Sequence, residues 1–125
     1  MKTQTYASIA ELRPYLIRAG MKARLINGER ATLAVLDIEP NGVAEEHHHE
    51  NEQLGLLVAG ALTLRIAGDS RELHPGDVYQ IPSHVPHDAK AGPQGATVVD
   101  VFIPVRTDWE KLPREDPSTP DWPPS

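Results

Sequence analysis

Between Ala23 and Val105 the chain alternates apolar and polar positions over short, strand-length runs, broken by turn residues roughly every eight to twelve positions. The turns are Asn27-Gly28, Pro40-Asn41-Gly42, Gly60, Gly68-Asp69-Ser70, Pro75-Gly76-Asp77 and Gly92-Pro93, residues that supply a fixed or positive φ where a chain reverses. Between them the pattern predicts strands over Ala31–Ile38, Leu54–Ala59, Ala61–Ala67, Asp77–Ile81 and Thr97–Val105. The clearest is Ala61–Ala67, where Leu62, Leu64 and Ile66 alternate with Thr63 and Arg65. No helix-length period interrupts the block, which argues against a βαβ fold, and an all-β sandwich or barrel is expected over residues 23–106.

The two ends read differently. Residues 1–22 form an expected N-terminal arm with one possible helical turn, because Ser8 and Glu11 have capping-box spacing ahead of Leu12, Leu16 and Ile17, and Pro14 keeps it short. Such an arm either crosses a partner subunit or lies on one sheet, and it offers no chemical candidate. Residues 107–125 form a Pro-rich tail with Pro113, Pro117, Pro120, Pro123 and Pro124, a composition that cannot join a sheet centrally. Trp109 and Trp122 are large apolar groups in that tail, and Trp109 is expected to pack against the barrel or a neighbouring subunit.

Composition narrows the function. A chain of 125 residues has room for one domain and a core of its own. It holds no cysteine, which excludes thiol redox chemistry and Cys-ligated metals, so any metal must be held by nitrogen and oxygen. The formal charge of −6 at pH 7 argues against nucleic acid as a partner, although a local cationic pocket stays open. No stretch approaches the roughly 20 apolar residues of a membrane span and no basic, apolar leader opens the chain. The expectation is a cytoplasmic protein acting on a small molecule, with neither membrane nor nucleic acid involved.

The chemistry concentrates in two segments. In Gly42-Val43-Ala44-Glu45-Glu46-His47-His48-His49-Glu50-Asn51-Glu52-Gln53 a turn runs into a strand, and His47 and His49, two apart, project from one face while His48 points outward. Two imidazoles on an interior face converge on one point and leave room for a third ligand just beyond; the bland alternative is a polar loop. The second segment runs from Pro75 to His87, with a turn, a strand, a second turn at Pro82-Ser83-His84 and a lone histidine at its end. Alone, His87 would be read as structural.

Together these segments resemble the two motifs of the cupin superfamily. The first motif is glycine, five residues, histidine, one residue, histidine, three or four residues, glutamate, six residues, glycine. It falls on Gly42, His47, His49, Gln53 at the usual glutamate and Gly60. The second falls on Gly76, Pro82, His84 at a usual glycine, His87, and Ala91 at a usual asparagine. Only four residues separate Gly42 from His47, a small change in a turn. His84 can keep the left-handed conformation of the glycine it replaces. The resemblance implies a cupin double-stranded β-helix, a jelly-roll barrel, holding one divalent metal ion through His47, His49, Gln53 and His87. Glu52 competes with Gln53, which has the motif count in its favour. Four neutral ligands leave the ion its full charge, which makes a stronger electrophile and a better anion binder. Zinc, nickel, iron, cobalt and manganese all remain open, and open coordination positions favour Lewis-acid work.

The last strand offers a choice. Asp100, Phe102 and, if the strand continues, Arg106 lie on one face, and Val99, Val101, Ile103 and Val105 on the other. Periodicity alone prefers the aliphatic face in the core. The opposite assignment puts Asp100 and Phe102 in the metal cavity and leaves an outer apolar stripe that a second subunit or another strand would have to cover. The run Asp100-Val101-Phe102-Ile103-Pro104-Val105-Arg106, behind the histidine elements, resembles the KdgF family of small cupins in pectin and alginate breakdown. That resemblance implies that Asp100, Phe102 and Arg106 serve catalysis, linearising 4,5-unsaturated monouronates, and with the apolar stripe then outside a homodimer is expected. Asp100 would be acid and base, Arg106 would pair with the substrate carboxylate, and Phe102 would wall the ring. Of Tyr79 and Gln80 one must face inward, as lining. The long Pro-rich tail departs from the family's short ending and leaves the substrate open. Rival readings are another metal-cupin enzyme, such as a dioxygenase, lyase or cyclase of a small natural product, and a cupin that binds a ligand or metal without turnover.

Overall fold

The computed structural model describes residues 5–124. Eight strands build it: β1 (Tyr15–Arg18), β2 (Met21–Asn27), β3 (Thr32–Ile38), β4 (Val43–His47), β5 (Glu52–Ile66), β6 (Asp69–Leu73), β7 (Val78–Ile81) and β8 (His87–Ile103). Outside them the described residues hold two short 3-10 turns, Ile9–Glu11 and Thr107–Lys111, and no α-helix. All strand pairs are antiparallel, as a chain of tight turns and no crossover helices requires.

The long strands β5 and β8 pair with each other from Glu52↔Ile103 to Ile66↔His87, and their register slips between Leu57 and Ala59 and again between Gly60 and Leu62. At these bulges the ribbon bends, so its two halves enter two layers. One layer runs β1-β2-β3-β8-β5-β7 through residues 96–103 of β8; the other runs β4-β8-β5-β6 through residues 87–91. Gly60, expected to be a turn, is therefore a bulge within one continuous strand, and Gly92-Pro93 likewise lies inside β8. Gly60 has φ 79° and faces Gly95, φ 81°, whose carbonyl oxygen occupies the space a Cβ on Gly60 would need. The β5–β6 turn is a two-residue loop in which Ala67 and Gly68 both have positive φ, the twist a tight hairpin favours.

Strand structure begins earlier than the sequence suggested. Ser8 makes no side-chain cap bond, the segment after it is a single 3-10 turn, and Tyr15–Arg18 pairs with β2, which itself starts at Met21. Pro14 stops helical propagation, and the free edge of β2 supplies the hydrogen bonds that a short helix would have to supply for itself. The tail then covers the outer edge of β1. The Leu16 N–H donates to the Pro113 carbonyl at 2.8 Å and the Glu115 N–H to Pro14 at 2.9 Å, while Lys22 pairs with Glu115 at 2.7 Å. Buried Arg24 ties the tail further, donating to Asp37 at 2.8 Å and to Ser118 Oγ at 2.9 Å. A proline-rich segment suits such an edge, where few ladder hydrogen bonds are asked of it.

The core lies between the layers, with Leu36, Ile38, Leu57, Leu62, Leu64 and Val98 among its buried residues. On β8 the inward set is Val98, Asp100 and Phe102, the last two 1% and 2% exposed. Val99, Val101 and Ile103 therefore face out, beside Leu33, Leu54, Leu56 and Val78 on neighbouring strands. The assignment that periodicity alone disfavours is the one adopted, because both oxygens of the buried carboxyl find donors.

Candidate metal centre

Three histidines meet inside the barrel. β4 ends at His47, His49 follows in the loop, and β8 begins at His87 directly opposite His47 in register. Two ties hold the segments together: the His84 N–H donates to the His49 carbonyl at 2.7 Å, and Ser83 Oγ donates to the Glu50 carbonyl at 2.5 Å. His84 has φ 64°, the left-handed conformation expected of it, and His48 is exposed.

One ligand atom from each of His47, His49 and His87 lies within 4.8 Å of the others. In every ring Nδ1 faces a backbone carbonyl, that of Glu45 at 2.6 Å, Asn51 at 2.9 Å and Val85 at 2.9 Å. Each Nδ1–H can therefore donate outward and leave the Nε2 lone pair for the centre, the arrangement that metal-binding imidazoles need. His87 Nε2 is buried with no hydrogen-bond partner. Burial holds all three rings below the ordinary imidazole pKa, His49 down to about 4, with the nearby charge of Arg106 adding to the effect there. The triad is neutral at pH 7 and ready to donate lone pairs.

Gln53 completes the cluster. Its Nε2 donates to Asp100 Oδ2 at 2.8 Å, and this bond turns its Oε1 toward His49 Nε2, 3.2 Å away. With the proton on Nδ1 of His49, two electron pairs face each other across that gap, an arrangement a cation between them would stabilise. Glu52 points the other way and accepts from Gln80 on the outer surface. These residues fit a divalent ion held by three imidazoles and a carboxamide oxygen.

Asp100 stands behind Gln53, wholly buried. Its Oδ1 accepts from Tyr79 Oη at 2.5 Å, so of the pair Tyr79 and Gln80 it is Tyr79 that faces in. Burial lifts the Asp100 carboxyl to about 7, against the hydrogen bonds from Tyr79 and Gln53 and the charge of Arg106, all of which pull it down. Burial and the Asp100 charge push the Tyr79 phenol well above its ordinary value. Phe102 sits edge-on to His49 at 5.9 Å and to Trp109 at 5.0 Å. Trp109, 6% exposed, packs on the barrel's own Phe102.

Arg106 lies beyond the end of β8, yet it is 8% exposed, because its guanidinium stacks 4.1 Å from the Trp109 ring and 4.8 Å from that of Phe102. Its fork is taken: Nε and Nη2 donate to the two oxygens of Asp108 at 3.0 and 2.9 Å. These groups surround a cavity of about 280 Å³ whose remaining walls are largely aliphatic, among them Leu36, Leu62, Ile81 and Val98. Sequence reading treated Tyr79 as lining and did not single out Arg18 or Asp108, both of which border this cavity. Strand parity with the inward Ile81 was the available signal for Tyr79.

Comparison with known proteins agrees with the geometry. The cupin domain family profile matches residues 34–102, more than half of the chain. The pectin degradation protein KdgF of Dickeya dadantii (strain 3937) is 24% identical over 92 residues, 72% of this chain and 84% of that protein. Among solved structures, KdgF from Halomonas sp. superposes with a TM-score of 0.77 at 27% identity, covering 85% of this chain and 98% of the other. An RmlC-like cupin from Shewanella frigidimarina NCIMB 400 superposes with a TM-score of 0.79 at 22% identity, covering 85% and 96%. A barrel of two antiparallel layers with a histidine triad inside it, matched by this profile across its central strands, belongs to the cupin domain family and is KdgF-like within it.

Proposed function

We propose that this protein is a metal-dependent enzyme that opens the ring of 4,5-unsaturated monouronates to their open-chain keto form. The observation that carries the reading is Asp100, a buried carboxyl at about 7 held beside the ligand cluster. A group with that affinity can both take and return a proton near neutrality, and an idle carboxyl would be costly to keep there. That cost weighs against a cupin that only binds its ligand. Similarity to a KdgF protein of pectin degradation supports a substrate from that polymer's breakdown.

His47, His49, Gln53 and His87 would hold the ion, which supplies Lewis-acid stabilisation of negative charge on the sugar oxygens. Zinc, nickel, iron, cobalt and manganese suit this donor set. Asp100 takes the proton of the C1 hydroxyl as the C1–O5 bond breaks and the electron pair passes to O5. The same proton then returns to C4, so the enol ether becomes a ketone and C1 an aldehyde with no net gain or loss of atoms. Tyr79 and Gln53 hold the carboxyl in one orientation through both transfers. Phe102 is the apolar wall that positions the ring and excludes water. Arg106, whose fork is held by Asp108 at 3.0 and 2.9 Å, would add its positive charge beside the wall that Phe102 and Trp109 form.

The outer apolar face of β3, β8, β5 and β7 supports a homodimer, because a patch that includes Val78 at 72% exposure gains by being covered. The activity is tested by following the ultraviolet absorbance of an unsaturated monouronate with metal-loaded protein. Loss of absorbance with an open-chain keto product is expected. Absorbance unchanged at high protein concentration overturns the reaction.

A further inference from the structure

Arg18 enters the cavity from a segment in which sequence reading saw no chemistry. Ile17 and Arg18 are adjacent in β1, and strict alternation would send their side chains to opposite faces. Both nevertheless line the cavity. The reason is the register slip between Leu16 and Arg18, where Leu16 faces Lys22 and Arg18 faces Met21. A bulge re-aims the side chain that follows it. The strand that carries the bulge is clamped on its other edge by the Leu16–Pro113 and Glu115–Pro14 hydrogen bonds, so the re-aimed side chain rests on a fixed backbone.

Once there, Arg18 is short of a partner. Its Nε–H is buried and unbonded, and among the described residues the side chain makes neither an ion pair nor a hydrogen bond. Arg106, the other cation of the cavity, is the opposite case, since Asp108 already fills its fork. A carboxylate reaching Arg106 must displace a protein carboxylate; one reaching Arg18 displaces nothing charged. A partly buried guanidinium with an unmet donor is a receptor for an anion, and a planar carboxylate matches its fork.

We infer that Arg18 is the carboxylate anchor of this cavity, and that it makes the site select small sugar acids over neutral sugars. The inference rests on the uronate reading for its substrate class. It moves charge recognition from Arg106, beside the Phe102–Trp109 wall, to the re-aimed end of β1.

The test is calorimetric titration of the metal-loaded protein with D-glucuronate, which lacks the 4,5 double bond and is not consumed, and with D-glucose. Wild-type protein is expected to prefer glucuronate. Arg18→Gln should weaken that binding about 10- to 100-fold, the range for a lost charge-assisted hydrogen bond, and leave glucose unaffected. Arg18→Lys should recover part of the loss, and it carries the test if Arg18→Gln does not fold. With unsaturated uronate as substrate, KM should rise by a similar factor while kcat changes less than about threefold, the signature of lost ground-state and transition-state binding together. Arg18→Gln binding glucuronate like the wild type, or wild type binding glucuronate no better than glucose, overturns the inference. Arg18-dependent glucuronate binding without turnover of the unsaturated uronate overturns the proposed reaction and leaves the anchor standing.

Discussion

The Tyr79 hydroxyl donates to Oδ1 of Asp100 at 2.5 Å, and the two meet only because Gly55 lies opposite both in the sheet. A Cβ at Gly55 would fall on the Tyr79 ring and on the Asp100 carboxyl oxygen. Gly55→Ala is therefore expected to cost about 1–3 kcal/mol through overpacking and to lower turnover sharply, as read from thermal melting and an activity assay on the same sample.

Tyr79→Phe keeps the ring and removes the donor. The Tyr79 hydrogen bond pulls the Asp100 carboxyl down from where burial alone would put it, so its loss raises the carboxyl above about 7. If ionised Asp100 is the base, the acid limb of kcat/KM moves to higher pH in this variant. A pH–rate profile whose acid limb stays in place would count against Asp100 as that group.

Stability should carry two opposite pH slopes. Asp100 holds its proton more tightly folded than unfolded, from 3.8 to about 7, so its contribution is present at low pH and is lost as pH rises through that window. His49 runs the other way: lowered from 6.5 to about 4, it favours the fold above that window and ceases to do so as pH falls through it. His47 and His87 are lowered as well. Metal-free Asp100→Asn, keeping only the histidine slope, is expected to gain stability from pH 4 to 6.5 more steeply than the wild type in thermal melts.

Metal affinity should depend on a residue that does not itself touch the ion. Asp100→Ala frees the Gln53 carboxamide to rotate, and a loss of about 10- to 100-fold in affinity is expected, as for other groups that orient a ligand. His49→Ala or His87→Ala should cost more. Because the rings resist protonation, bound metal should persist below pH 6.5, where free imidazole becomes charged. Competition with a chelating dye across pH measures all three.

Leu54 is 42% exposed on the outer apolar face, beside Val101. Leu54→Glu is expected to shift sedimentation from dimer to monomer while changing protomer stability by no more than about 0.5 kcal/mol, as surface substitutions do. A wild-type protein that sediments as a monomer at high concentration rules out the dimer.

Much of the site could be read from residue order because its logic is local. His47 and His49 stand two apart where β4 ends and meet at one point, and Gly76 and His84 hold turns whose positive φ is visible in the fold. What escaped the sequence depends on register. Nothing in Leu16-Ile17-Arg18 announces a bulge, so Arg18 was not distinguishable from a surface arginine. Gly60 looks like a turn because a glycine with positive φ serves a bulge equally well. Alternation on β8 favours its aliphatic face for the core, and the opposite choice makes sense only once the donors for Asp100 are known, which come from β5 and β7. Family resemblance supplied what periodicity could not.

One uninterrupted strand, β8, starts at His87 in one layer and reaches Asp100 and Phe102 in the other. The contour of that backbone is thus a ruler between the histidine cluster and the buried carboxyl, and a residue inserted or deleted between Ala96 and Asp100 would turn Asp100 to the outside. Variation in length should accordingly collect in the tail and the edge strands, where it leaves the spacing of these side chains unchanged.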